Sequence, residues 1–174
     1  MIFIIRYFIE FIIFIFMLWV IGMFSIFIHE IGHAIGYFLT TKNNNWSIRL
    51  GNGKKICKIG RFSIYLIPFS GCFSFINTEK PLSKTKTIAT SVGGPLASLI
   101  LLLILFLVKN NINSLLQPIV ALTARDSLIK YFIAYNLYMF VLSILPYKPK
   151  SWLLNGYVSD GWYILKEIKR NGDN

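Results

Sequence analysis

Residues 7–39 form one apolar run, interrupted early by Glu10, and a run of that length has few ways to fold. In lipid no water reaches the backbone N–H and C=O groups, so the segment must close its own hydrogen bonds as a helix. About 20 apolar residues already cross the hydrocarbon core. Arg6 precedes the run and stands i, i+4 to Glu10, a spacing at which the two can pair at the interface. The run does not read as a cleaved signal peptide. It is too long, no small-x-small site follows it, and cleavage would detach it from the polar motif at its far end.

That motif is His29-Glu30-Ile31-Gly32-His33, which contains both of the chain's histidines. On a helix, residues four apart share a face, so the two imidazoles can hold one metal ion while Glu30 reaches water on it. A histidine on an apolar face is usually a packing residue. Ionisable groups inside a membrane segment are expensive, however, and mark function by default. The expected ion is zinc, one per chain.

Composition fits a membrane setting. Of 174 residues, 55% are hydrophobic and 14% charged, which leaves room for one compact domain, residues 1–174, and no separate soluble one. Further spans are expected at about 88–108 and 127–146. Gly32 and Gly36 form a small-xxx-small pair suited to close helix contact. The net charge of +11 could point to nucleic acid, but no basic helix interleaved with stacking aromatics occurs. Its distribution reads as topology. Lys42, Arg49, Lys54, Lys55, Lys58, Arg61, Lys80, Lys84 and Lys86 crowd the loop after the first span. Lys148, Lys150, Lys166, Lys169 and Arg170 crowd the tail. The positive-inside rule predicts a multi-pass cell-membrane protein with its N-terminus outside and this loop and the C-terminus cytoplasmic. Nineteen residues, roughly 28 Å of helix, separate Glu10 from His29, which puts the motif near the cytoplasmic edge. Cys57 and Cys72 form no CxxC and are expected to be reduced, packed thiols.

Between the first two spans, residues 46–76 read as strands. Trp46, Ile48 and Leu50 alternate with polar residues, and Gly51-Asn52-Gly53 offers the positive φ of a hairpin turn. Lys54–Ile59 and Phe62–Phe69 read as strands around a Gly60-Arg61 turn, with Cys72–Ile76 following. The predicted fold is therefore mainly α, with about three transmembrane helices and a small antiparallel β-meander in the cytoplasmic loop between the first and second. The sheet could merely cap the bundle, or its edge could capture an extended peptide by backbone pairing.

Two histidines and a water leave one coordination position, which a carboxylate usually fills. Depth disfavours Glu10 and Asp126. Glu79, in the basic loop, is not excluded by depth, and Glu167 lies on an amphipathic tail. Asp160, in the segment 147–170 after the third span, is the best third ligand.

These features together resemble the site-2 protease family of intramembrane zinc proteases, in a minimal bacterial-type form. The family joins an HExxH span to a later span ending in Asn-x-x-Pro…Asp-Gly. Here stand His29-Glu30-x-x-His33 and Pro146…Asp160-Gly161. Between them, Gly93-Gly94-Pro95-Leu96-Ala97 is similar to the start of the family's middle span, and Gly51–Gly71 to its strand-rich loop. The resemblance covers roughly residues 20–165 and implies peptide-bond hydrolysis within a transmembrane protein or hydrophobic peptide. Zinc on His29, His33 and Asp160 would activate water and Glu30 would act as the base. Gly93 and Gly94 would allow a substrate backbone to approach, although plain helix packing explains them equally well. Two departures stand out. Ser143 occupies the place of the family's asparagine, which is thought to help hold the substrate. Lys148–Leu154 reads as an extra interfacial loop. A non-proteolytic zinc-binding membrane protein (a pseudoprotease, immunity factor or metal carrier) is the alternative. Glu30 argues against it, because metal binding alone needs no base between the histidines.

Overall fold

The computed structural model describes residues 2–76, 82–116, 122–148 and 158–170. The elements run α1 (Ile2–Thr41), β1 (Trp46–Ile59), β2 (Phe62–Phe75), α2 (Lys84–Leu116), α3 (Leu122–Ile144) and α4 (Asp160–Lys169). Among the described residues, three helices are long and apolar enough to cross a membrane, over Ile5–Thr41, Lys84–Asn111 and Asp126–Ile144. These coincide with the three expected spans. Glu10 accepts from Arg6 at 3.0 Å, the pairing their spacing foretold.

α1 and α2 form the most extensive helix pair, and small residues allow it. A methyl group added at Gly32 would strike the backbone of Gly93, and one at Gly36 would strike that of Ala89. Without a hydrophobic drive between helices in lipid, such backbone approach is what gives them packing energy. α3 lies beside them. Asn136 on α3 is fully buried and donates to Ser25 Oγ on α1 at 3.0 Å.

The loop between α1 and α2 differs in detail from a meander of short strands. It is one long antiparallel hairpin that turns at Gly60-Arg61, with pairs from Trp46–Phe75 at the base to Ile59–Phe62 at the tip. Gly51 and Gly53 do have positive φ, 80° and 79°. They bend β1 instead of reversing it, because the register shifts around Asn52 and the hairpin then rolls over. Its tip thereby meets its own base: Ile48, Arg49 and Leu50 face Phe62, Ser63 and Ile64 as well as Phe73, Cys72 and Gly71. The Ile48 N–H donates to Arg61 O at 3.0 Å.

The hairpin is more than a cap. Ile48 and Leu50 join Met23, Ile26 and Ala34 of α1 in a buried core, flanked by Phe27, Phe62 and Phe73. The middle of β2 also lies alongside α1 well above the HExxH level. Trp19 Nε1 donates to Leu66 O at 2.6 Å, Tyr135 Oη to Pro68 O at 2.7 Å, and Gly22 faces the Pro68 ring. Leu66, Ile67 and Phe69 are exposed there. At span depth a strand can survive only if its backbone polar groups have partners. Trp19 and Tyr135 satisfy two carbonyls, and proline has no N–H to satisfy. Part of a loop expected on the cytoplasmic side thus sits among the spans.

Candidate metal centre

His29, Glu30 and His33 lie in the second half of α1, all buried. The i, i+4 spacing stacks the two rings edge to face with centroids 4.8 Å apart. Each ring is oriented by α2. His29 Nδ1 pairs with Ser98 Oγ at 2.8 Å, and His33 Nδ1 with the Thr90 carbonyl at 2.7 Å. A carbonyl can only accept, so the neutral His33 ring carries its proton on Nδ1 and keeps a lone pair on Nε2. Gly94 provides the space: a methyl group there would strike the His33 ring and come within 2.7 Å of His29 Nε2.

Asp160 completes the group from the other side. It is the first residue of α4, and Ser159 fixes where that helix begins. The Ser159 hydroxyl donates to Leu145 O at 2.6 Å, accepts from the Tyr147 N–H at 2.8 Å, and caps α4 by accepting from Trp162 N–H at 3.2 Å. Gly161 lets the turn press against the end of α3, since a methyl group there would strike the Ile144 carbonyl. Asp160 Oδ2 then lies 3.3 Å from His29 Nε2, and Oδ1 3.4 Å from His33 Nε2. The two Nε2 atoms are 3.2 Å apart.

These separations match a metal's demands. A tetrahedral ion with bonds of about 2.0–2.1 Å sets its ligand atoms roughly 3.3–3.4 Å apart. Burial pushes the Asp160 carboxyl up, but its interactions with the His33 and His29 rings outweigh that and hold its pKa at about 2. Asp160 is therefore ionised, as a ligand must be. Among the described residues, His29, His33 and Asp160 form the group that could hold a metal. Glu167 is paired with Arg170 at 3.1 Å, and Glu79 lies outside the described residues.

Residues 13–158 match the sequence profile of peptidase family M50. The chain belongs to peptidase family M50. The M50 match contains His29, Glu30 and His33 and ends two residues before Asp160. M50 is the site-2 protease family, and membership supports an intramembrane metalloprotease-type function. No curated protein and no solved structure matches the chain.

Glu30 has a different setting from its neighbours. It is buried against β2, where Gly71 leaves room for its carboxylate and the Phe73 backbone N–H faces it. Its Oε2 has no hydrogen-bond partner.

The remaining expected residues divide. Gly93 is occupied by contact with the Gly32 backbone, the packing alternative, whereas Gly94 makes room for the imidazoles. Ser143 is buried and donates to Phe140 O at 3.0 Å, within its own helix. The Lys148–Leu154 loop lies, beyond Lys148, outside the described residues. An apolar groove of about 340 Å³, lined by Ile31, Ala34, Ile35, Phe38, Asn44 and Trp46, contains none of the metal group. By helical period its α1 residues point away from the histidines.

Ser98, Thr90 and Ser159 were not singled out in the sequence. For Ser159 a signal existed, because Ser-Asp-Gly ahead of an amphipathic stretch is a helix N-cap pattern. Ser98 and Thr90 carried none; only the docking of α2 on α1 brings them to the rings.

Proposed function

We propose that the chain is an intramembrane zinc endopeptidase that cleaves a peptide bond in or near a transmembrane segment of another protein, or in a hydrophobic peptide. The observation that carries this reading is the convergence of two Nε2 atoms and the Asp160 carboxylate at 3.2–3.4 Å, with the Glu30 carboxylate buried beside them. His29, His33 and Asp160 would hold the metal. Zinc bound there supplies Lewis acidity toward a water and the scissile carbonyl. Glu30 takes the proton from that water and passes it to the leaving amine, while the Phe73 N–H orients its carboxylate.

The substrate must be extended to be cut, since a helical peptide bond is shielded by its own hydrogen bonds. The Gly71–Phe75 part of β2 pairs with β1 on one side only, and its other edge faces Glu30. An unwound substrate can add to that edge by backbone pairing. In the place of the family's asparagine, Ser143 has its hydroxyl committed to Phe140. Asn136, two turns earlier on α3, is fully buried and bonded to Ser25 Oγ and Phe132 O, so it holds α3 to α1 instead of facing a substrate. The Lys and Arg asymmetry supports an N-terminus outside and a site near the cytoplasmic face.

The test is a cleavage assay on reconstituted wild type and Glu30→Gln with zinc measured on both. Cleavage by wild type alone, at equal zinc, is the expected result. Zinc bound by both proteins with no cleavage by either across a panel of membrane substrates would favour the non-proteolytic alternative.

A further inference from the structure

α4 carries more than Asp160. Its buried face holds Gly161 and Glu167, turned toward α2 and α3. The rest of its surface has two chemistries side by side. Leu165 and Ile168 are exposed and three residues apart, so they form one apolar flank. Lys166 and Lys169, also three apart, form an adjoining cationic strip. Lys148, from the segment after α3, joins that strip: its Nζ lies 5.4 Å from the Trp162 ring, and Lys166 Nζ lies 5.2 Å from the same ring. Glu167, the helix's other acid besides Asp160, is buried and already paired with Arg170. Among the described residues, no carboxylate pairs with Lys148, Lys166 or Lys169.

The position of the helix says what this surface faces. Gly161 touches the Ile144 carbonyl at the end of the third span, and Lys84 at the start of α2 donates to Ile168 O at 3.4 Å. α4 thus starts beside the histidines at the end of α3 and runs to the level of Lys84, so its lysine-bearing far end lies where α2 begins, at the boundary between hydrocarbon and water. An amphipathic helix with an apolar flank, an aromatic ring and a cationic strip at that level fits the membrane surface itself.

We propose that α4 is an interfacial helix that docks on acidic phospholipid headgroups through Lys148, Lys166 and Lys169, with Leu165 and Ile168 dipping below them. Lysines on an anionic surface gain on the order of fivefold each in affinity. Because Asp160 is the first residue of α4, the same docking holds the carboxylate opposite the histidines. That last consequence rests on the metal reading above; the lipid contact does not.

The test uses the full chain reconstituted in phosphatidylcholine alone or in an equal mixture with phosphatidylglycerol, with amide hydrogen exchange followed over residues 160–170. The mixture is expected to slow exchange there roughly tenfold or more, and high salt to remove the gain. A Lys148→Gln, Lys166→Gln, Lys169→Gln variant should lose the lipid dependence. A Lys54→Gln, Lys55→Gln control, with exposed lysines on the hairpin, should keep it. Equal exchange in both membranes overturns the proposal, as does equal protection by inorganic phosphate added to phosphatidylcholine. Zinc affinity in the two membranes is read separately. If exchange responds to the lipid and zinc affinity does not, docking stands and its link to Asp160 falls.

Discussion

Single atoms decide whether this site exists, and the histidine partners are the clearest case. Ser98 and the Thr90 carbonyl aim the rings so that their Nε2 atoms converge. Replacing Ser98 with Ala frees His29 to rotate, and zinc affinity is expected to fall about 10- to 100-fold, the usual cost of losing such support. Equilibrium dialysis of the reconstituted protein measures it. Gly94→Ala is expected to be worse, because the added methyl group takes the space of the His33 ring; zinc should be undetectable while circular dichroism keeps its helical signal. His29→Ala, His33→Ala and Asp160→Ala should each lose the metal, and Glu30→Gln should keep it. Full zinc occupancy in Asp160→Ala would remove Asp160 from the ligand set and turn attention to Glu79. Of these residues, the HExxH triplet was plain in the sequence, since its spacing is local to one helix. Ser98 was not, because nothing local connects it to a ring 69 positions away.

Elements position one another through contacts that leave almost no space. α1 and α2 meet at Gly32–Gly93 and Gly36–Ala89. Gly32→Leu must push the helices apart, breaking the contacts that carry Ser98 and Thr90 to the histidines. We expect loss of zinc together with a lower thermal midpoint. α4 depends on Ser159 in the same way. Ser159→Ala removes the cap, about 0.5–2 kcal/mol, and strands the Tyr147 N–H, about 1–3 kcal/mol more if it stays buried. Zinc affinity should drop, and Ser159→Thr, which keeps the hydroxyl, should restore much of it. Unchanged affinity in the alanine variant would mean that Gly161 packing alone seats the helix. Helix existence and span limits were legible at this scale, since hydrophobic run length fixes them. The path of the hairpin was not. Gly51-Asn52-Gly53 carries the signature of a tight turn, yet the pairing of Trp46–Leu50 with Gly71–Phe75 holds β1 to a bend there.

The whole molecule places a site at one end of three spans, with a hairpin that runs back among them. Topology is tested by cysteine labelling from outside: a probe near Asn111 should react, and probes near Asn44 or Asn174 should not. The reverse pattern would move the site to the other face. Substrate choice is expected to follow ease of unwinding. Spans with Gly, Pro or Asn near the cytoplasmic end should be cut faster than all-Leu spans, whose helices stay closed. If all-Leu spans are cut equally fast, unwinding does not limit the reaction and a protein adaptor becomes the better explanation.

By itself the sequence determined the membrane setting and the number of spans, and it singled out the histidine pair and Asp160 as the candidate metal group. Each of these depends on composition, local period or depth, which are properties of a chain taken one segment at a time. Tertiary structure alone decided the rest. It brought Ser98 and Thr90 to the rings, made Gly94 the space beneath them, rolled the hairpin onto its own base and set Glu30 against β2. These are contacts between segments tens of residues apart, and they exist only when helices pack closely enough for one backbone to touch another.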